Sequence, residues 1–171
     1  MRRLLVLGSA PCMEQDISGL DLKAYDVAAV NRAGVRFPGP VRWWVTYHPQ
    51  TMVDERWMAR RSELGWNMDF SIVLHQRHRW AEKLAREAGI PMEHFTGPGR
   101  TGSSTLLAAL FGLQAQGYDA VLVAGAPLEG AYEGFQGGWT EAKHILAGRV
   151  FSMSGWTKTF LEGLNHGAAT H

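Results

Sequence analysis

Hydrophobic positions in this chain fall into short unbroken runs, and each run stops at small or polar residues. Leu4-Leu5-Val6-Leu7 ends at Gly8-Ser9-Ala10-Pro11, and Asp26-Val27-Ala28-Ala29-Val30 ends at Asn31. Val41 to Tyr47 ends at His48-Pro49, Asp69 to Leu74 forms a fourth run, and Gly117 to Ala124 ends at Gly125-Ala126-Pro127. Apolar runs without alternation predict strands covered on both faces, as in a parallel sheet with helices on either side. Arg149 to Met153 predicts a last strand. Between the runs the pattern turns helical. Cys12 to Leu20 predicts a turn or two, and Pro49 to Leu64 a helix with Met52, Val53, Trp57 and Leu64 inward and its arginines outward. Arg79 to Ala88 repeats Trp80, Leu84 and Ala88 at four-residue spacing and stops at Gly89. Thr105 to Gln116, Trp139 to Leu146 and Trp156 to Leu164 complete the helices, Pro91 to Phe95 reads as a connection, and His166 to His171 as a frayed end. The expectation is one α/β domain over residues 1–171, a three-layer sandwich with a mostly parallel sheet.

In such a sheet ligands bind beyond the carboxyl ends of the strands, so the residues that end each run are the candidate site. Gly8, Ser9 and Ala10 keep the first loop free of bulk and let backbone N–H groups approach a ligand, while Pro11 suits the first turn of a helix. Asn31 ends the second strand, where its amide either meets a base edge or ribose hydroxyl or caps its own turn. His48 ends the third, where an imidazole binds, moves protons or hydrogen-bonds a neighbouring loop. Gly102-Ser103-Ser104 precedes an apolar helix, a pattern that makes either an anion site or a plain helix cap. Gly97 and Gly102 have P-loop spacing, but Ser103 stands where that loop has lysine. Gly125 ends the fifth strand, and the glycine-rich stretch 129–138, with Tyr132, Phe135 and Gln136, is a candidate lid.

Composition narrows the partners. At 171 residues with net charge +1, the chain has no broad basic field for nucleic acid, and Arg56, Arg60 and Arg61 read as a solvated helix face. No stretch approaches the about 20 apolar residues needed for a membrane span. One cysteine, Cys12, and no secretory leader predict a cytoplasmic protein. Seven tryptophans are many for this length; Trp43, Trp44, Trp66 and Trp139 are candidates for stacking on a ligand ring, though core packing is the commoner use. His75 and His78 lack the matched partners of a zinc site, so no metal ligands are expected. The first loop lacks the G-x-G-x-x-G dinucleotide fingerprint.

Leu5 to Pro11, Val30-Asn31-Arg32, Tyr47-His48-Pro49, Gly102-Ser103-Ser104, Gly117-Tyr118 and Val121 to Gly125 together resemble, in order and over most of the chain, the Rossmann-like superfamily of small bacterial sialyltransferases. The same pattern is similar to archaeal 6-hydroxymethylpterin diphosphokinase-like proteins and to small phage proteins. The resemblance implies a Rossmann-like fold and a nucleotide-binding transferase: a metal-independent, inverting glycosyltransferase with a CMP-activated sugar as donor substrate and no required cofactor. It would place Gly8, Ser9, Ala10, Asn31, Gly102, Ser103, Ser104 and Gly125 around the nucleotide. His144, after the lid, would be the first choice of base and His48 the second, with Tyr132 and Arg100 steadying the departing phosphate. The chain departs from the family at Ser9 and His48, where those enzymes have asparagine, at Cys12, where they have serine, and at Pro127, where the superfamily commonly has aspartate. The alternatives are pyrophosphoryl transfer from ATP to a pterin-like alcohol, with Asp54, Glu55, Glu129, Glu133 and Glu141 as the available carboxylates, and a nucleotide-binding protein without turnover. The acceptor and the oligomeric state, a homo-oligomer included, stay open.

Overall fold

The apolar runs do form strands, and among the described residues seven of them line up in one all-parallel sheet. The computed structural model describes residues 1–97 and 102–168. Its strands are β1 (Arg3–Leu7), β2 (Asp26–Val30), β3 (Trp43–Thr46), β4 (Ser71–Leu74), β5 (Met92–His94), β6 (Ala120–Ala124) and β7 (Val150–Ser152), in spatial order β5-β4-β3-β2-β1-β6-β7. Every neighbouring pair is parallel; Leu5, for example, stands between Val27 of β2 and Leu122 of β6. The helices are α1 (Met13–Ile17), α2 (Pro49–Asp54), α3 (Trp57–Glu63), α4 (Arg79–Glu87), α5 (Ser103–Leu110), α6 (Gln136–Glu141), α7 (Lys143–Leu146) and α8 (Gly155–Ala168). No helix among the described residues is long and apolar enough to cross a membrane.

Alternation of side chains along each strand divides the core in two. Leu4, Val6, Ala28, Val30 and Val45 pack with α5, Trp139 and Leu161 on one face, while Leu5, Leu7, Ala29, Trp44, Ile72 and Leu74 pack with Met13, Met52, Trp57 and Ala81 on the other. Helices on both faces of a parallel sheet make this a single-domain, Rossmann-like sandwich. The chain walks outward from β1 to β5, then returns through α5 to β6 on the far side of β1. The direction therefore reverses between β1 and β6, the switch point where this architecture opens a crevice.

Several expected elements change. Pro49 to Leu64 is two helices, because Arg56 takes a left-handed turn (φ 54°) between α2 and α3. Pro91 to Phe95 is not only a connection: it contains β5, an edge strand of three residues whose polar sequence gave no apolar run. The helix after Gly102 starts at Ser103 and continues past Leu110 as a π-helical turn, Phe111–Ala115. α8 continues through His166 to Ala168. In α4 it is Ala81 and Ala85 that face the core, while Trp80 and Leu84 are exposed. Arg61 is the largest departure, for it lies wholly buried rather than on a solvated face. Its guanidinium donates to the carbonyls of Gly34, Phe37, Gly39 and Asn67 at 2.7–2.9 Å, closing the loop between β2 and β3. Burial lowers its pKa, and the four carbonyls supply what water would.

Candidate functional site

A cleft of about 490 Å³ opens over the carboxyl ends of β6, β1, β2, β3 and β4, with the switch point toward its β6 end. Four inter-strand steps separate β6 from β4, which makes the slot about 19 Å long. Its floor is the meeting of the first and fifth predicted loops. Gly8 N–H donates to Ala124 O at 2.8 Å and Ala10 N–H to Gly125 O at 3.0 Å. The two glycines touch so closely that a Cβ on Gly125, itself at φ +66°, would stand 2.5 Å from Gly8 O. Beneath them the buried Asp16 accepts from Gly125 N–H at 2.8 Å and from Ser154 Oγ at 2.7 Å. Arg36 holds the outside of the first loop, donating to Ser9 O at 2.6 Å and to both oxygens of Glu14. With two of its three N–H groups used internally, the Gly8–Ala10 loop leaves Ser9 N–H as the donor it can offer a ligand.

The second wall comes from β2, β3 and α5. Asn31 sits at φ 52°, its backbone oxygen accepting from Trp44 Nε1 at 2.8 Å and its side-chain Oδ1 from Thr46 Oγ1 at 2.7 Å. Thr46 Oγ1 in turn accepts from His48 N–H at 2.8 Å. Ser103, also left-handed (φ 62°), opens α5; its hydroxyl contacts Thr105 Oγ1 and accepts from Trp139 Nε1 and Leu106 N–H. Ser104 Oγ accepts from Tyr47 N–H at 3.0 Å, tying α5 to the end of β3. Four non-glycine residues have positive φ among the described ones, and Asn31, Ser103 and Leu128 line this cleft. Strained backbone gathered at one site marks a place where geometry is held for a purpose other than packing.

Beyond Asn31 the slot ends in Tyr47, His48, His75 and Gln76, with the rings of Tyr47 and His75 4.5 Å apart and tilted by 58°. Over the opposite end stand Leu128, Tyr132 and Phe135. The stretch read as a lid is a 3-10 turn, Gly130–Phe135, running into α6 and pinned by Gln136 Nε2 donating to Leu128 O at 2.8 Å. Tyr132 is exposed at the mouth, stacked on Phe135 at 6.4 Å. Among the described residues the lining contains no aspartate, glutamate, lysine or arginine. Arg32 lies outside the lining, bridged through two nitrogens to Glu55, which also accepts from Trp57 Nε1 at 2.7 Å. Those hydrogen bonds, Arg32's first, hold the Glu55 carboxyl down at about 2.

The cleft thus gathers Gly8, Ser9, Ala10, Asn31, His48, Ser103, Ser104, Gly125 and Tyr132. Gly102 is buried just behind it as the residue preceding α5, and His144 lies exposed on α7, outside the lining. Arg100 falls outside the described residues. Tyr47, His75, Gln76 and Phe135 were not singled out for nucleotide binding from the sequence; His75 and Gln76 end β4 as Asn31 and His48 end β2 and β3, and that position was their signal. Trp43, Trp44 and Trp139 fill the core, and Trp66 packs beside Arg61, so none of the four lines the cleft. The carboxylates Asp54, Glu55, Glu129, Glu133 and Glu141 do not line it either, and the described residues hold no cluster of three or more metal-ligating side chains. No protein-family model, curated protein or solved structure matches the chain.

Proposed function

We propose that this chain is a nucleotide-binding transferase, a metal-independent glycosyltransferase that takes a sugar activated as its CMP conjugate and passes it to a hydroxyl acceptor. The observation that supports it most is the cleft itself: long, set over the switch point, rich in N–H and hydroxyl groups, and bare of charged side chains among the described residues. A phosphodiester with one negative charge suits helix-terminal N–H groups and hydroxyls. A triphosphate needs lysine, arginine or metal to neutralise it, so pyrophosphoryl transfer suits this lining less well. The order of motifs shared with the sialyltransferases supports the choice of CMP.

In this reading the phosphate lies between Ser9 N–H and the start of α5, and the nucleoside runs toward Asn31. The acceptor oxygen attacks the anomeric carbon as the bond from that carbon to the phosphate oxygen breaks on the opposite side. CMP leaves with the electron pair, and His48 takes the acceptor's proton. His48 fills this role rather than His144 because it faces the cleft. In the same reading Tyr132, at the mouth of the cleft, donates to the leaving phosphate as charge develops there.

The test is CMP release from a CMP-activated sialic acid in the presence of a chelator, with a panel of hydroxyl acceptors. Release by the wild type is expected, with His48→Gln slower by about 100-fold or more and CMP affinity within a factor of about two of wild type. No release with any acceptor, or release only after magnesium is added, would overturn the reading.

A further inference from the structure

N–H groups and hydroxyls seat a phosphate without neutralising it, and among the described residues the lining adds no cation. Arg32 stands beside that lining. It directly follows Asn31, which lines the cleft, and its side chain is 60% exposed at the rim. Tyr132, on the wall that follows β6, is close enough to interact with the guanidinium charge. β2 and β6 flank β1 in the sheet, so the space between Arg32 and Tyr132 lies over the end of β1, where Ser9 N–H is the donor on offer. Two other arginines near the cleft are committed elsewhere. Arg36 is spent on the carbonyls of Ser9 and Ala10 and on Glu14, and Arg77, though it follows Gln76, lies with Glu82, Arg86 and His94 in a separate groove.

We infer that Arg32 is a phosphate-binding residue of this cleft, for which Glu55 and the ligand's phosphate compete. Its bond to Glu55 is of a kind that exchanges: both side chains reach the surface, and exposed ion pairs are worth little. Glu55 can release Arg32 without being stranded, since Trp57 Nε1 still donates to its Oε2 at 2.7 Å and the charge of Arg60 also acts on it. The guanidinium suits either partner, because the fork that Nε and Nη2 present to the Glu55 carboxylate fits a phosphate equally well. The inference rests on the nucleotide reading of the cleft. It gives Glu55 a second consequence: by holding Arg32, that carboxylate weakens ligand binding rather than assisting it.

Titrations of CMP into wild type, Arg32→Gln, Arg32→Lys, Glu55→Gln and the double Gln variant test it. Arg32→Gln is expected to bind CMP about tenfold less tightly, the size of one charge-assisted hydrogen bond. Arg32→Lys keeps the charge without the fork and should fall between Arg32→Gln and wild type. Glu55→Gln removes the competitor and is expected to bind CMP about two- to fivefold more tightly. In the double variant that gain should vanish, which separates the release of Arg32 from the mere loss of a negative charge. CMP affinity unchanged in Arg32→Gln, unchanged or lower in Glu55→Gln, or a gain that persists in the double variant would overturn the inference while leaving the nucleotide site standing. A wild type that does not bind CMP would overturn the nucleotide reading and this inference together.

Discussion

Glu55 shows how much of this site's order is set by single side chains at its rim. Its carboxylate receives Arg32, the residue after Asn31, and Trp57 from the first turn of α3. Held at about 2 against an ordinary value of 4.5, it favours the folded state fully above pH 4.5, and that contribution is lost as the pH falls from 4.5 toward 2. Urea midpoints measured across that range should fall less steeply in Glu55→Gln than in wild type, and parallel curves would contradict the pairing. Arg61 is the counterpart in the interior. Its sequence context, beside Arg56 and Arg60, spoke for solvent, yet only the tertiary fold could disclose the four carbonyls that receive it.

At the scale of elements, the strand ends do the positioning, and what holds them comes from behind the sheet. Trp44 reaches Asn31 O only because Gly34 has no side chain: a Cβ there would press into the indole, 2.6 Å from Nε1 and closer still to the ring carbons. Gly34→Ala should therefore cost about 1–3 kcal/mol through overpacking, read as a lower urea midpoint, and should weaken CMP binding as Asn31 shifts. Wild-type stability with wild-type affinity would refute this coupling. The places where sequence and structure part have physical reasons of the same kind. β5 is short and polar because it lies at the sheet edge, where one flank is unpaired, so no apolar run announces it. α4 turns alanines inward because Ala81 and Ala85 fit close to the sheet, whereas spacing alone favours the larger Trp80 and Leu84. Gly8, Asn31, His48 and Gly125 were legible because each directly follows an apolar run, whereas His144 drew notice because it follows the stretch read as a lid, and α7 holds it outside the cleft lining.

In the whole molecule a topology meets a chemistry. The reversal between β1 and β6 opens the crevice, paired glycines let two loops meet at its floor, and left-handed Asn31, Ser103 and Leu128 line it. The slot offers donors and hydroxyls in place of charge, which suits the singly charged phosphodiester of a CMP-activated sugar. The measurement that tests this most directly is the thermal midpoint of the wild-type chain with CMP, in chelator and again in magnesium, since a ligand that binds the native state must raise it. The account predicts the same saturable rise with and without the metal, and a smaller one for UMP. No rise with CMP, or a rise that appears only with magnesium, would contradict it.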